Sequence, residues 1–590
     1  MEKNNNMRTY NYIWKLIKYR PWLYTLNCIL WIIIHVSPLI PGLIAKEFFD
    51  TLSGNASLNV GVWGLMALLM MVTFARVVII FAGGKTDAIH RFNMSALIRR
   101  NMLECILKKP GANAIPSSVG EAVNCFRDDA DQAENSISWT LDVIGSAVFA
   151  IVAITILLTI NLRITLLVFT PLVAVVAISQ KASERIERYR EASREATANV
   201  SGAMGETFSS VQAIKVAGAE KDILNYLNKL NKKRHKLMLR DSILNQLLES
   251  IYINTVSFGT GLILLLAGQS MKGGSFSVGD FALFVCFLGF VADFTQFFGT
   301  FIAHYKQTGV SFRRMIEFLR GESDEALVKS NKLYLKGNPP IETYDVIKVE
   351  HKLNNLQVKG LTYLYEGVDS GIKDVSFGMK KGEVTVITGR IGSGKTTLLK
   401  TLLGLLPRAS GEIYWNDIKV REPENFFVPP LSAYTSQIPN LFSDSVESNI
   451  LLGLEKNDDE LKKAVLSAVL EKDIETLDKG LETVIGPKGV KLSGGQVQRV
   501  AAARMFIRRP ELLVFDDISS ALDVETEIKL WNRLFEGENP TCVVVSNRRY
   551  ALQQADNIIV MKNGKVDAQG SLEELLNNCE EMQQIWGNIG

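Results

Sequence analysis

The sequence predicts two structural classes in one chain. The first is an all-α six-helix transmembrane domain over residues 1–320, and the second is an α/β P-loop domain over 351–590, with a linker at 321–350. Three observations carry this. Long apolar runs crowd the first half; the composition turns polar after Phe318 and carries Pro339 and Pro340; and from Leu356 short β-branched runs alternate with helical stretches. The 590 residues are 47% hydrophobic and 22% charged, a combination explained by segregating the apolar residues into membrane spans.

A bilayer core takes about 20 apolar residues in a helix, because lipid cannot satisfy exposed backbone polar groups. Six runs qualify or nearly so: 22–44, 61–83, 137–160, 164–179, 251–268 and 278–303. The fourth and fifth are the weakest, since their ends fade into polar helix. The first is long, with no small-residue cleavage site after it, and so reads as a span rather than a signal peptide. Lys3, Arg8, Lys15, Lys18 and Arg20 precede the first span, and segments 84–136 and 180–250 are also rich in Lys and Arg. The short connections hold only Lys46, Arg163 and Lys272. This distribution puts both termini and the P-loop domain on the cytoplasmic side of a plasma (inner) membrane. The charged stretch 183–194 implies that membrane helices continue far into the cytosol. Helical patterning breaks near the tips, at 114–121 and 211–220.

His35, Arg76 and Asp293 lie inside spans, about 20 Å deep at 1.5 Å per residue. Intramembrane charge is costly and faces a partner or a wet cavity. Arg76 and Asp293 enter from the same side at similar depth, so a structural ion pair and a substrate contact are both open readings, the pair favoured. The net charge of +3 gives no case for nucleic-acid binding. The six cysteines show no CxxC or Cys/His cluster, which disfavours a zinc site or a disulfide framework.

In the second half, a buried-strand run at 383–388 leads directly into Gly389-Arg390-Ile391-Gly392-Ser393-Gly394-Lys395-Thr396 and then into a helical stretch from Thr397. This is a P-loop in its strand–loop–helix context. The glycines let backbone N–H groups curl around a β-phosphate, Lys395 supplies a point charge, and Thr396 offers a hydroxyl to Mg²⁺. A second apolar strand at 512–515 ends in Asp516-Asp517; a carboxylate at a strand's carboxyl end beside a P-loop, Asp516, is placed to hold Mg²⁺ through water. Leu492-Ser493-Gly494-Gly495-Gln496 opens a further helix at 497–507, where Ser493 and the glycine N–H groups form a natural anion site.

Together these residues resemble the ATP-binding cassette (ABC) family, exporter type, over nearly the whole chain. The resemblance implies that ATP and Mg²⁺ are the cofactors and that the P-loop domain carries an α-helical signature subdomain. Two cassettes would pair head to tail, each ATP held between one P-loop and the other chain's LSGGQ. The resemblance assigns adenine stacking to Tyr365, with Tyr363 as rival, and phosphate contacts to Gly389 through Thr397. It makes Gln437 the Q-loop residue meeting Mg²⁺ and the attacking water, and 519–523, ending in Asp523, the D-loop. Segments 114–121 and 211–220 correspond to coupling helices, and Thr9–Tyr19 to an amphipathic elbow helix.

Three departures from the family pattern stand out. Asp517 occupies the position of the catalytic Glu, one methylene shorter. Asn547 replaces the switch histidine and cannot carry a proton near neutral pH. Gly486-Pro487-Lys488-Gly489 replaces the usual Gly-Glu-x-Gly. The first two fall on the ATP site built on this chain's own P-loop, while its LSGGQ is intact. That division is the one heterodimeric ABC exporters show, so the expected partner is a second half-transporter. Weakened hydrolysis is expected at this chain's own site. The alternatives are a slow homodimeric drug or lipid exporter and an ATP-gated channel or regulator. The substrate, a small molecule, peptide or lipid, is not legible; contact with membrane lipid is expected.

Overall fold

The computed structural model describes residues 7–54, 60–109, 111, 119–272, 276–319, 321–335, 337, 352–365, 367–368, 370–486, 492–535 and 540–588. The side chains at 119, 168–169, 171–188, 245, 248–249, 251–253, 255–256, 269, 272, 292, 295–296 and 588 also lie outside the description. The chain divides into two compact units, Met1–Cys105 with Ser117–Leu335, and Ile106–Pro116 with Lys336–Gly590.

The first unit is all helix: α1 Thr9–Tyr19, α2 Pro21–Val36, α3 Leu39–Leu52, α4 Val62–Leu107, α5 Val119–Asn124, α6 Ala130–Ile160, α7 Leu162–Ser209, α8 Val211–Ala217, α9 Glu220–Lys272 and α10 Val278–Phe318. The first expected span is broken into α2 and α3 by a turn at Ser37-Pro38, because proline cannot donate to the preceding turn. A π-helical turn, Cys125–Asp129, joins α5 to α6. By length and apolarity, Pro21–Leu52, Val62–Leu107 and Gly120–Ile160 suffice to cross a membrane among the described residues, whereas the apolar stretches Ser257–Gly268 and Val278–Val291 are shorter.

Helix α9 folds back along α7, and α10 packs against α3, α6 and α9. One cluster seals the end of the bundle, with Phe149 and Leu157 of α6, Ile263 of α9 and Phe284, Phe287 and Leu288 of α10 all buried. The tip expected at 211–220 is α8, closed by Gly218 in the left-handed region (φ 63°), with Val216 91% exposed. The other expected tip lies, at 114–118, outside the described residues. Of the expected linker, 321–335 belongs to the first unit. Leu327 and Val328 are buried, and Asn101 donates to the carbonyls of Leu327 (3.0 Å) and Lys329 (2.9 Å).

The second unit contains β1 Asn355–Leu364, β2 Gly371–Lys380, β3 Val384–Gly389, α11 Lys395–Leu402, β4 Ser410–Trp415, β5 Ile418–Lys419, α12 Pro423–Phe426, β6 Ser432–Thr435, α13 Val446–Leu451, α14 Asp458–Ser467, α15 Glu471–Thr476, α16 Gly494–Phe506, β7 Leu512–Asp516, α17 Val524–Phe535, β8 Cys542–Val545, α18 Arg549–Gln553, β9 Asn557–Lys562, β10 Lys565–Gly570, α19 Leu572–Asn578 and α20 Glu580–Asn588. An antiparallel sheet, β2-β1-β4-β5, accompanies a six-stranded sheet, β10-β9-β3-β8-β7-β6, in which only β10 is antiparallel. Every residue of β3, β7 and β8 is buried, the signature of parallel strands covered on both faces. Because β3, β6, β7 and β8 are parallel, their carboxyl ends share one edge, and the loops leaving that edge carry the site.

Candidate functional site

The P-loop leaves β3 at Gly389 and enters α11 at Lys395. Gly389, Gly392 and Gly394 all sit at positive φ (151°, 83° and 102°), which side chains avoid. Lys395 Nζ folds back on its own loop, donating to the carbonyls of Gly389 (2.7 Å) and Arg390 (2.8 Å). Ser393 Oγ is buried in the loop without a hydrogen-bond partner, as a donor waiting for a phosphate oxygen would be. Ile391 is fully exposed, and Arg390 is ion-paired with Glu581 of α20.

Next to the loop, Asp516 at the end of β7 is 1% exposed. It accepts from Thr396 Oγ1 (2.9 Å) and from the Tyr434 hydroxyl (3.3 Å). Burial raises its carboxyl above the ordinary range, against the pull of those two hydrogen bonds. Burial likewise raises Asp517 and lowers Lys395. Thr396 and Asp516 supply hard oxygen donors, so the set fits Mg²⁺, which when bound would neutralise phosphate charge. Gln437 is the third candidate ligand.

Asp517 sits at φ 53°, a left-handed position, and accepts from Gln437 Nε2 at 3.2 Å. Asn547, just past β8, is bonded through both ends of its amide: Thr388 donates to its Oδ1 (2.9 Å) and its Nδ2 donates to the Gly389 carbonyl (3.3 Å). The Tyr365 hydroxyl meets Thr397 Oγ1 (3.1 Å) beside the loop and the ring is 42% exposed, whereas Tyr363 packs on the core of the smaller sheet. Of the two, Tyr365 is the one open to a base. Asp523 is occupied in capping α17, accepting from Thr526 N (2.9 Å) and Thr526 Oγ1 (2.8 Å), which hold its carboxyl below the usual range.

The signature sequence is a capping box. Ser493 is the N-cap of α16: its Oγ accepts from Gln496 N (3.3 Å), and its own N–H donates to Gln496 Oε1 (2.8 Å). Gly494 and Gly495 therefore form the first turn, whose N–H groups have no partner within the helix. Leu492 packs on the core, Ser493 and Gly494 are exposed, and Gln496 Nε2 anchors to Asp473 (2.9 Å). Of the divergent stretch before it, Gly486 is described and 487–491 lie outside the described residues.

Gln498 was invisible to motif reading. It is 3% exposed and donates to the Gln437 carbonyl (3.2 Å) and Ser520 Oγ (2.9 Å), while its Oε1 accepts from Ala521 N (3.2 Å). One amide thus ties the Q-loop and the D-loop to the signature helix. Gln498→Ala would remove three part-buried hydrogen bonds, worth about 0.5–1.5 kcal/mol each. The expected outcome is a lower denaturation midpoint, with turnover falling more than ATP affinity; equal affinity and turnover losses would count against this link.

In the first unit, His35 is bonded to Asp142 (Nε2–Oδ1 3.0 Å) and lies near Ser146 (3.4 Å). Asp87 accepts from Asn27 (3.2 Å) and from Ser138 (2.8 and 2.9 Å). The expected Arg76–Asp293 pair does not form among the described residues. Arg76 Nε is buried without a hydrogen-bond partner and Asp293 is exposed, because α10 packs on α3, α6 and α9 rather than on α4.

The comparisons with known proteins agree with this architecture. The ABC transporter transmembrane region matches residues 24–293, and the ABC transporter domain matches 372–520. The chain belongs to the ABC transporters. It is an exporter-type half-transporter, a helical transmembrane region fused to an ATP-binding cassette. Its fold matches that of a bacterial Atm1-family ABC exporter with ATP bound, at TM-score 0.77 and 18% identity, over 96% of this chain and 98% of the other. It is 26% identical to the ATP-dependent lipid A-core flippase of Pasteurella multocida over 87% of each chain. It is 29% identical to the probable multidrug resistance ABC transporter YheI of Bacillus subtilis, over 71% of this chain and 69% of the relative. It spans about half (52%) of ABC transporter B family member 1 of Dictyostelium discoideum, at 25% identity.

Proposed function

We propose that this half-transporter drives outward movement of a substrate as one half of a heterodimeric exporter, its own P-loop site holding ATP but cleaving it poorly. The observation that carries the reading is the pairing of Asp517 and Asn547 beside an intact, exposed Ser493-Gly494. Asp517 is short for a general base, and its carboxylate is engaged by Gln437. Asn547 has both amide groups committed to Thr388 and Gly389 and has no proton to give. Lys395, released from its loop carbonyls, and Ser393 would bind phosphate oxygens, and Tyr365 would stack on the base. The LSGGQ turn would complete the partner's ATP site, where hydrolysis resets the transporter. The Lys/Arg distribution supports a cytoplasmic cassette in the inner membrane.

The test is direct. The chain purified alone, in detergent or lipid, is expected to bind ATP and to turn it over very slowly. Brisk turnover by a verified homodimer would defeat the degenerate-site reading. The second reading is a homodimeric exporter, which that same outcome would support; the names of the flippase relatives favour a lipid as its substrate.

A further inference from the structure

At the corner where α1 meets α2, a cavity of about 520 Å³ is lined by Tyr19, Arg20, Pro21, Trp22 and Leu23, together with Ile89 and Asn93 of α4. Its depth is fixed by the contacts above it: Asn27 of α2 bonds Thr86 and Asp87 of α4. Trp22 and the Ile89–Asn93 turn therefore lie about one helical turn nearer the N-terminal end of α2. In the orientation that the Lys/Arg distribution gives, that is the inner headgroup layer. The aromatic residues there behave accordingly. Trp22 is 86% exposed, Trp14 55% and Phe92 61%, as rings in an interfacial belt are. Helix α1 buries Tyr12, Ile13, Leu16 and Ile17 on the protein and leaves Trp14 outward.

The chain segment that forms this corner is basic. No carboxylate occurs between Glu2 and Glu47, while Arg8, Lys15, Lys18 and Arg20 do. Lys15 is paired with Glu325 (2.7 Å), and Lys18 lies over the Trp14 ring. Arg20 is exposed and lies over Tyr19 (5.5 Å); no carboxylate among the described residues pairs with it. We propose that this corner binds the phosphate headgroup of an anionic inner-leaflet phospholipid, with Arg20 as counter-charge and Trp22, Leu23 and Ile89 as the seat of its acyl chain. A guanidinium suits a phosphodiester because its planar N–H fork meets two oxygens at once. A chain seat beside the cation distinguishes a lipid from a free anion.

The site has a mechanical consequence. Tyr19, which lines the cavity, donates from its hydroxyl to the Asn331 carbonyl (2.8 Å). The Asn331 amide bonds Asn101 Oδ1 (2.8 Å) and Glu104 (3.3 Å) on α4. Met7 N also donates to Asp324 (3.1 Å). A bound headgroup would thus brace α1 against the segment that leaves α10, so anionic lipid would stabilise the membrane unit.

The full chain in detergent micelles doped with phosphatidylglycerol or phosphatidylcholine tests this, with native mass spectrometry counting retained lipid. Arg20→Gln is expected to weaken phosphatidylglycerol retention about tenfold. Arg8→Gln, which removes the same charge outside the cavity, should leave it unchanged. Trp22→Ala should weaken retention of both lipids. Thermal unfolding without lipid confirms that each variant is folded, and phosphatidylglycerol should raise the melting temperature of wild type but not of Arg20→Gln. Equal losses in Arg20→Gln and Arg8→Gln would reduce the site to diffuse basic attraction. Equal retention of the two lipids would reduce it to annular contact. Displacement by millimolar inorganic phosphate would make it a free-anion site. Each of the three overturns the proposal.

Discussion

Gly494→Asp is expected to abolish transport and most ATP hydrolysis by the assembled pair, while Asp517→Ala does much less. The structure makes the first substitution a clean electrostatic probe. A Cβ at Gly494 meets only the Ala521 Cβ at 3.5 Å, an ordinary contact, and a carboxylate in the first turn favours the helix dipole. Helix α16 should therefore fold undisturbed. Gly495 would be a poorer choice, since its Cβ would press on the Ala521 carbonyl at 2.9 Å and move the D-loop. In the proposed assembly the new carboxylate faces the γ-phosphate bound to the partner's P-loop. Each unit of like charge at 4 Å costs about 4 kcal/mol at an effective dielectric of 20, roughly a thousandfold. Asp517→Ala only removes a base already poorly placed. Lys395→Ala should fall between, because weaker ATP binding at this site loosens the paired cassettes. Steady-state ATPase and transport, measured for all three variants in one reconstituted assembly, decide it. If Asp517→Ala is as damaging as Gly494→Asp, the two sites are equivalent and a homodimer is the better reading.

What could be read in the sequence, and what could not, follows from how each feature is specified. The P-loop and LSGGQ were legible because each is one continuous turn: glycines at positive φ in the first, a Ser-x-x-Gln capping box in the second. The fold class was legible too, since apolar runs and strand alternation are local. Partners across helices were not. Counting residues from a span's start gives the depth of Arg76 and Asp293 but not their rotation about the helix axis, so equal depth suggests a pair that does not form among the described residues. For the same reason nothing marked Asp142 as the partner of His35, nor Asp87 as the hub for Asn27 and Ser138. Gln498 lay two residues beyond a known motif, and only tertiary structure shows its amide reaching Gln437, Ser520 and Ala521. A spacing signal exists in hindsight: Gln498 follows the buried Val497 into α16, where a buried amide demands partners.

The converse experiment repairs the site. Asp517→Glu with Asn547→His should raise hydrolysis at this chain's own P-loop in the assembled transporter, with the partner's site disabled so that only this one is read. The longer side chain advances the carboxylate by roughly the 1.5 Å of a carbon–carbon bond. It stays on the same backbone, which the Asp517 N–H bond to the Val545 carbonyl (3.0 Å) holds in place. That moves the base past its present contact with Gln437 and toward the space a water would occupy. Histidine at 547 can still accept the Thr388 hydroxyl through one ring nitrogen, which leaves the other free to carry a proton that asparagine cannot. A positioned general base contributes on the order of 10²–10⁴-fold, and the double variant should recover part of that range. The single variants separate the contributions: Asp517→Glu alone should raise turnover more than Asn547→His alone, because a proton carrier has little to assist until a base is in reach. Trapping of ADP in single-turnover assays reads this without contribution from product release. An unchanged rate in a folded double variant would mean that these two residues do not set the deficit, and the asymmetric reading of the site would lose its chemical basis.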